Sequence, residues 1–495
     1  VTAIEVDRLR RTLPDDDDHP YRSGAWRPQA TEWRVDDVEV IEGAIPDDLD
    51  GLYVRNTENP LHEPISMYHP FDGDGMVHAI RFGGGRASYR NRFVRTEGLL
   101  AEQDAGASLW AGLAENPRHA LRTDGRTARG AMKDASSTDL VVHNGEVLTS
   151  FWQCGELYRM DPDTLDTLGP TRWDGWFPDE GVSAHTKVDE ATGELFFFNY
   201  GTAWPYLHFG CVDRTGKLVH YTPVPLPGPR LPHDMAITEH FVVLNDLPMH
   251  WDEDLLLKGV HAVRMHDKPT RLAVVPRRGT EEDVQWFEAD PTYVLHWTNA
   301  YEDGDDVVLE GFHQGCPSPR KPEIGDDMWM YRYLALDWME TRLHRWRLNR
   351  RTGVCTEERM RDGFSEFGII NGRYVGRPHR YVWSATGKPG WFLFDGFVRH
   401  DTETGDDDVL RLPDGVYGSE VGVAPKAHGS AEDDAYIVTF TTDPANERSE
   451  CWILDGRRIS DGPLARLRLP EQISSGTHAA WAPGSALPID RVPQD

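Results

Sequence analysis

Short turns of one kind punctuate this chain and limit what it can fold into. Asp161-Pro162-Asp163-Thr164-Leu165, Asp189-Glu190-Ala191-Thr192-Gly193, Asp213-Arg214-Thr215-Gly216, Asn349-Arg350-Arg351-Thr352-Gly353 and Asp401-Thr402-Glu403-Thr404-Gly405 all set an Asp or Asn shortly before a Thr. In all but the first, a Gly follows. An Asp or Asn side chain can bond its own backbone two residues on, and Gly accepts a positive φ at no steric cost. Most of these turns follow a strand-like run, such as Leu157-Tyr158-Arg159-Met160 or Trp346-Arg347-Leu348, and lead into another. They read as one type of antiparallel hairpin, irregularly repeated. Such units recur over about 350 residues with little helical periodicity, which favours a β-propeller over a sandwich. In a propeller the innermost strand of each blade lines a common axis, so side chains far apart in sequence can meet there.

Nothing resembling a low-complexity linker divides the chain, so residues 1–495 read as one domain. Residues 1–35 read as an irregular, charged lead-in, with Asp15-Asp16-Asp17-Asp18 as a solvated loop. Gly51-Leu52-Tyr53-Val54-Arg55-Asn56 reads as a strand, and Phe71-Asp72-Gly73-Asp74-Gly75 as a tight turn in which Asp72 and Asp74 shape the backbone rather than bind an ion. Residues 99–130, with Leu99-Leu100, Trp110 and Leu113 among charges and alanines, read as a helical insertion.

A formal net charge of −30 argues against binding nucleic acid through its phosphates. The charge density of the insertion also argues against a membrane-dipping patch. No stretch approaches the roughly 18 apolar residues of a membrane span, and Val1-Thr2-Ala3-Ile4-Glu5-Val6-Asp7-Arg8 lacks an apolar signal region. The 5 cysteines are scattered, with no C-x-x-C spacing. They suit reduced thiols in a cytoplasmic protein better than a disulfide framework.

Of the 21 histidines most must be bystanders, His208, His240, His250 and His313 among them. Four stand apart by their apolar or small neighbours at or near strands: His185 in Ser183-Ala184-His185-Thr186-Lys187, His233 in Leu231-Pro232-His233-Asp234-Met235, His296 in Val294-Leu295-His296-Trp297-Thr298, and His478 in Gly476-Thr477-His478-Ala479-Ala480. Spacing alone does not make them ligands. No H-x-x-x-H or other short-range pair joins them, and taken singly each reads better as a buried structural histidine.

Taken in order, these segments resemble the carotenoid cleavage oxygenase family, which also holds the lignostilbene- and phenylpropanoid-cleaving dioxygenases. The resemblance runs from Gly51-Leu52-Tyr53-Val54-Arg55-Asn56-Thr57-Glu58-Asn59-Pro60, through the Phe71–Gly75 turn, to His478. It implies an all-β, seven-bladed propeller with a loop and helix cap over an axial metal site. It implies iron(II) held by His185, His233, His296 and His478, with Glu366 and Glu420 accepting the far N–H groups of ligand imidazoles. Where the family usually carries a third such glutamate, this chain has Gln153, which can accept a hydrogen bond but brings no charge.

The same resemblance places Phe71 and Trp152 as walls of the substrate pocket. Trp152 stands where lignostilbene-cleaving members carry a lysine that meets a phenol, and no tyrosine appears in Ser108–Ala114, so a 4-hydroxystilbene specificity is disfavoured. The implied activity is oxidative cleavage of a conjugated C=C by O2 to two carbonyl products. The substrate would be a small hydrophobic alkene, either an apocarotenoid or a smaller aryl alkene such as a stilbenoid or phenylpropenoid. The rival is a non-catalytic propeller that binds a hydrophobic ligand or a partner. A propeller hydrolase with a carboxylate-bound ion is disfavoured by the histidine-only set.

Overall fold

Strands joined by short turns make up nearly all of the structure, a computed structural model described for residues 3–113, 115–122, 132–201, 203–251, 263–265, 268–314, 341–387 and 392–488. The repeated turns are built as their residues dictate. Asp189 accepts Ala191 N at 3.0 Å through Oδ1 and Gly193 N at 2.7 Å through its carbonyl. Asp213, Asn349 and Asp401 repeat the pattern. Gly193, Gly216, Gly353 and Gly405 all take φ between 74° and 80°, where an L side chain would be strained.

Between turns the chain forms antiparallel sheets, most with consecutive strands side by side, as in Lys187–Asp189, Glu194–Tyr200, Leu207–Val212 and Leu218–Pro223. The apolar run Leu195-Phe196-Phe197-Phe198 shows why such sheets stack. Phe196 and Phe198 pack with Cys211, Val242 and Leu244 on one face. Leu195 and Phe197 pack with Trp173, Val182 and Val212 on the other. A strand buried on both faces reads as a continuous apolar run instead of an alternating one, and each such phenylalanine contributes about 1.5–3 kcal/mol by burial.

The architecture is an all-β propeller. Its inner strands touch around the axis: Leu140–His143 lies against Lys187–Asp189 and Gly476–Pro483, Tyr293–Asp303 against Ala236–Ile237 and Glu366–Ile369, and Gly422–Pro425 against Gly476–Pro483. The two ends of the chain are tied to each other. Gly51–Asn59 pairs with Gly476–Pro483, and Val40–Gly43 pairs with Pro463–Arg468.

The lead-in differs from its sequence reading. Strands Ile4–Arg8 and Thr31–Val35 pair and extend the sheet of Arg86–Phe93. Ile4–Arg8 is exposed along its whole length. Ile4 and Val6 alternate with Glu5 and Asp7 as in a strand, but the run is short and both apolar side chains stay exposed, so the strand is held by backbone pairing and not by a buried face.

Within residues 99–130, helix Glu97–Ala105 begins with Thr96 Oγ1 accepting Leu99 N at 3.0 Å and ends at Gly106 with φ 67°. Residues 123–131 lie outside the described residues. The insertion is tied down by carboxylates. Asp72 accepts Leu113 N at 2.8 Å and His69 N at 3.1 Å. Lys133 Nζ bridges Asp74 at 2.9 Å and Glu102 at 2.7 Å. Burial pushes the Asp72 carboxyl up to about 7. No helix among the described residues is long and apolar enough to cross a membrane.

Candidate metal centre

Each of the four histidines sits where an inner strand begins or breaks register. His185 and His233 lie just ahead of strands Lys187–Asp189 and Ala236–Ile237. His296 lies inside Tyr293–Asp303, where the ladder to Asp306–Gln314 slips between Val294 and Trp297. His478 lies inside Gly476–Pro483, where the ladder to Gly51–Asn59 slips between Gly476 and Ala479. A bulge bends the strand and re-aims a side chain, so these breaks turn two histidines toward the axis that regular pleating would not.

One ring nitrogen from each of His185, His233, His296 and His478 lies within 4.8 Å of the others. The rings stand mostly edge to face: His185 and His478 have centroids 4.5 Å apart at 81°, and His296 and His478 4.6 Å apart at 78°. No other group of three or more His, Cys, Asp or Glu among the described residues converges in this way.

Carboxylates fix the rings from behind. His296 Nδ1 donates to Glu366 Oε2 at 2.7 Å and His185 Nδ1 to Asp139 Oδ2 at 2.7 Å. His478 Nδ1 donates to Glu420 Oε1 at 3.3 Å. With Nδ1–H engaged, Nε2 of each of these rings is left as the lone-pair nitrogen available to a metal, and the hydrogen bond sets both tautomer and orientation. Glu366 Oε2 also accepts Phe367 N at 2.9 Å, and Glu420 Oε2 accepts Ala479 N at 2.5 Å. Glu420 is itself held by the strand Gly51–Asn59: Tyr53 Oη donates to its carbonyl at 2.7 Å, and Arg55 donates to Ser419 Oγ at 2.5 Å.

Gln153 does not take the place expected of it. It is half-buried in a turn, and among the described residues no hydrogen bond joins it to any of the four rings. The third carboxylate is Asp139, at the start of inner strand Leu140–His143, which neighbours the strand that follows His185. Sequence reading missed Asp139 because nothing in Ser136-Ser137-Thr138-Asp139 distinguishes it from an ordinary residue at a strand entrance.

Electrostatics favour neutral, metal-ready imidazoles on most of the set. Burial, with repulsion from the neighbouring histidines, holds His185 and His296 well below the ordinary imidazole range and His233 down at about 3. His478 is the exception: burial lowers it, but Glu420 and Asp139 outweigh that and carry it up to about 9. Burial pushes Asp139 up to about 7 and Glu366 up to about 8.

His185 Nε2 is buried without a hydrogen-bond partner in the protein. An orphaned buried polar atom costs about 1–3 kcal/mol, and a cation at the centre of four imidazoles removes that cost. Imidazole donors suit iron, zinc, copper and nickel, so the residues present fit a transition-metal ion.

The centre lies between two unlike environments. On one side is an aromatic wall. Phe367 stacks on His296 with centroids 5.0 Å apart at 25° and meets the His478 ring at 4.9 Å, and its own φ is 55°. It joins a cluster with Tyr68, Phe392 and Phe394, against which Phe71 packs. Phe71 also packs on Trp152, with ring centroids 6.2 Å apart. Trp152 is buried with Leu113, Ala135, Phe151 and Ala184, the last of these preceding His185. On the other side a cavity of about 650 Å³ runs beside His185, His296 and His478 and past Asp139 and Lys187.

The family model described as retinal pigment epithelial membrane protein matches residues 26–483 of this chain. The chain belongs to this carotenoid oxygenase family. The chain is 30% identical over 491 residues to the carotenoid 9,10(9′,10′)-cleavage dioxygenase 1 of Phaseolus vulgaris, covering 93% of this chain and 89% of that one. It is 31% identical over 501 residues to the lignostilbene-alpha,beta-dioxygenase isozyme III of Sphingomonas paucimobilis, covering 94% and 98%. Among solved structures, the lignostilbene dioxygenase of Pseudomonas brassicacearum superposes with a TM-score of 0.83 at 28% identity, covering 96% of this chain and all (100%) of that one. For a carotenoid oxygenase of this family the axial histidine cluster is where a metal-dependent reaction belongs.

Proposed function

We propose that this chain is a non-heme iron(II) dioxygenase that cleaves a conjugated C=C bond with O2, sending one oxygen atom to each of two carbonyl products. The observation that carries this reading is the axial set of four imidazoles, three of them locked by carboxylates with their free nitrogens turned inward. His185, His233, His296 and His478 would hold the ion. Iron(II) bound there supplies the redox chemistry that joins O2 to an alkene.

The remaining work falls to the protein's own side chains. Glu366, Glu420 and Asp139 keep Nδ1 of their histidines protonated and the rings fixed. Neutral imidazoles leave the charge of the metal undiminished. Phe71, Trp152 and Phe367 present ring faces and edges on the aromatic side, where they exclude water and give a flat conjugated substrate surfaces to lie against. No protein nucleophile is required, because both C–O bonds are formed with oxygen from O2.

This wall suits an apocarotenoid or a smaller aryl alkene, stilbenoid or phenylpropenoid. The near-equal identity to a carotenoid-cleaving and a lignostilbene-cleaving relative favours neither. The complete ligand set with its carboxylate supports argues against a non-catalytic binding module.

The test is iron analysis of protein purified without oxygen, followed by aerobic incubation with apocarotenals, stilbenes and phenylpropenes and mass detection of carbonyl products. The expected result is about one iron per chain, as a single four-imidazole centre requires, and two carbonyl products from at least one class. Iron-loaded protein that cleaves none of them would overturn the substrate reading, and protein that holds no metal would overturn the centre itself.

A further inference from the structure

The carboxylates of Asp139, Glu366 and Glu420 each touch a ligand ring. Asp234 does not, yet it is fully enclosed by the segments that carry those rings. Its side chain is 1% exposed. It follows His233 directly in sequence. Oδ1 accepts Met235 N at 2.7 Å from its own segment and Lys187 Nζ at 2.8 Å, and Lys187 lies two residues beyond His185. Oδ2 accepts Trp297 N at 2.7 Å, and Trp297 directly follows His296. One buried carboxylate therefore joins the segments of His185, His233 and His296.

The bond to Trp297 also explains how His296 can point at the axis. The ladder from Tyr293–Asp303 to Asp306–Gln314 slips between Val294 and Trp297. A slip of this kind disrupts the local pairing and leaves a backbone group in need of another acceptor. Glu420 solves the same problem one histidine further round: it accepts Ala479 N just after the break at His478. Asp234 is the counterpart at the His296 break, with Lys187 supplying the positive charge that lets a carboxylate remain in so buried a place.

We propose that Asp234, paired with Lys187, is a positioning residue for the metal centre. It clamps three of the four ligand segments together and holds the bulge that aims His296. The proposal rests on the reading of His185, His233, His296 and His478 as metal ligands.

The experiment compares Asp234→Asn, Lys187→Met and Lys187→Arg with Asp246→Asn in the full chain. Asp246 is a control of the same kind, a buried carboxylate held by Arg230 at 2.9 Å and Arg271 at 2.5 Å. The readouts are iron(II) affinity by chelator competition, the visible ligand-field bands of the cobalt(II)-loaded protein, and thermal unfolding without metal.

Asp234→Asn and Lys187→Met are expected to weaken metal binding about 10- to 100-fold, the usual effect of losing an outer-shell partner, and to shift the cobalt bands. Lys187→Arg keeps the charge and is expected to restore both. Asp246→Asn is expected to lower thermal stability with affinity and bands unchanged. If Asp234→Asn does not fold, Lys187→Met decides by the same two readings. Native affinity and native bands in the Asp234 and Lys187 variants would overturn the proposal, as would equal changes in Asp246→Asn. Should the unaltered chain bind neither metal, or His233→Ala bind as the unaltered chain does, the reading of the centre falls and the proposal falls with it. Metal binding by the unaltered chain with indifferent variants overturns the proposal alone.

Discussion

Two halves of the centre are built differently. His185, His296 and His478 each give Nδ1 to a buried carboxylate, whereas among the described residues no hydrogen bond reaches the His233 ring. The ring contacts of His233 are to His185 at 4.7 Å and His296 at 5.5 Å. His296 and His478 also meet the aromatic wall through Phe367. The contrast teaches where the metal is gripped and where it can adjust. Three rings have their tautomer and orientation fixed by outer partners, and His233 is placed by its backbone and its neighbours.

That contrast can be broken in several ways. Removing a ring from the supported half has the largest expected effect. His296→Ala deletes a donor and strands Glu366 as a buried carboxyl, so metal retention and turnover should both vanish. Metal analysis after gel filtration checks this, with His233→Ala beside it as the milder loss.

Phe367→Ala probes the aromatic side of the same half. Phe367 is 2% exposed, and truncating a buried Phe costs about 3–5 kcal/mol. Denaturant unfolding of the metal-free protein should show that loss.

Asp139→Asn and Gln153→Leu then compare the carboxylate that is present with the amide that stands elsewhere. Losing the Asp139 charge should cost about 10- to 100-fold in metal affinity, and Gln153→Leu far less. Equal losses in a chelator titration would restore Gln153 to the role that the sequence suggested.

The smallest effect concerns a carboxyl remote from the rings. Asp72 is raised by burial from its ordinary 3.8 to about 7. A carboxyl whose folded value lies above its unfolded value favours folding most at low pH, and that contribution is lost as pH rises through the folded value. The thermal midpoint should therefore fall between about pH 4 and pH 7 through this group, and Asp72→Asn should flatten that part of the profile. An unchanged profile would show that burial does not raise the Asp72 carboxyl in this way.

Much of this was legible in the residues. The Asp or Asn turns ending in Thr-Gly specified their own hydrogen bonds, because the bonded groups in such a turn are no more than four residues apart. The histidine segments announced themselves by small and apolar neighbours, and Glu366 and Glu420 do stand behind imidazoles. The strand Ile4–Arg8 was hard to read because its alternation spans only Ile4 to Asp7 among charged residues and neither apolar side chain is buried. Phe367 drew no notice, since its left-handed backbone and its contact with His296 follow from the Glu366 hydrogen bond and from packing.

The sequence by itself determined the all-β repeat and the turn chemistry, since these depend on local patterns, and it pointed to the four histidines through their resemblance to a family rather than through their spacing. Only the tertiary structure decided that Asp139 rather than Gln153 is the third group behind a ring, that of His185, and that Asp234 binds three ligand segments at once. Those partners lie 46 residues apart for Asp139 and His185, and 63 for Asp234 and Trp297. What brings them together is the closing of inner strands around one axis, and no local pattern encodes it.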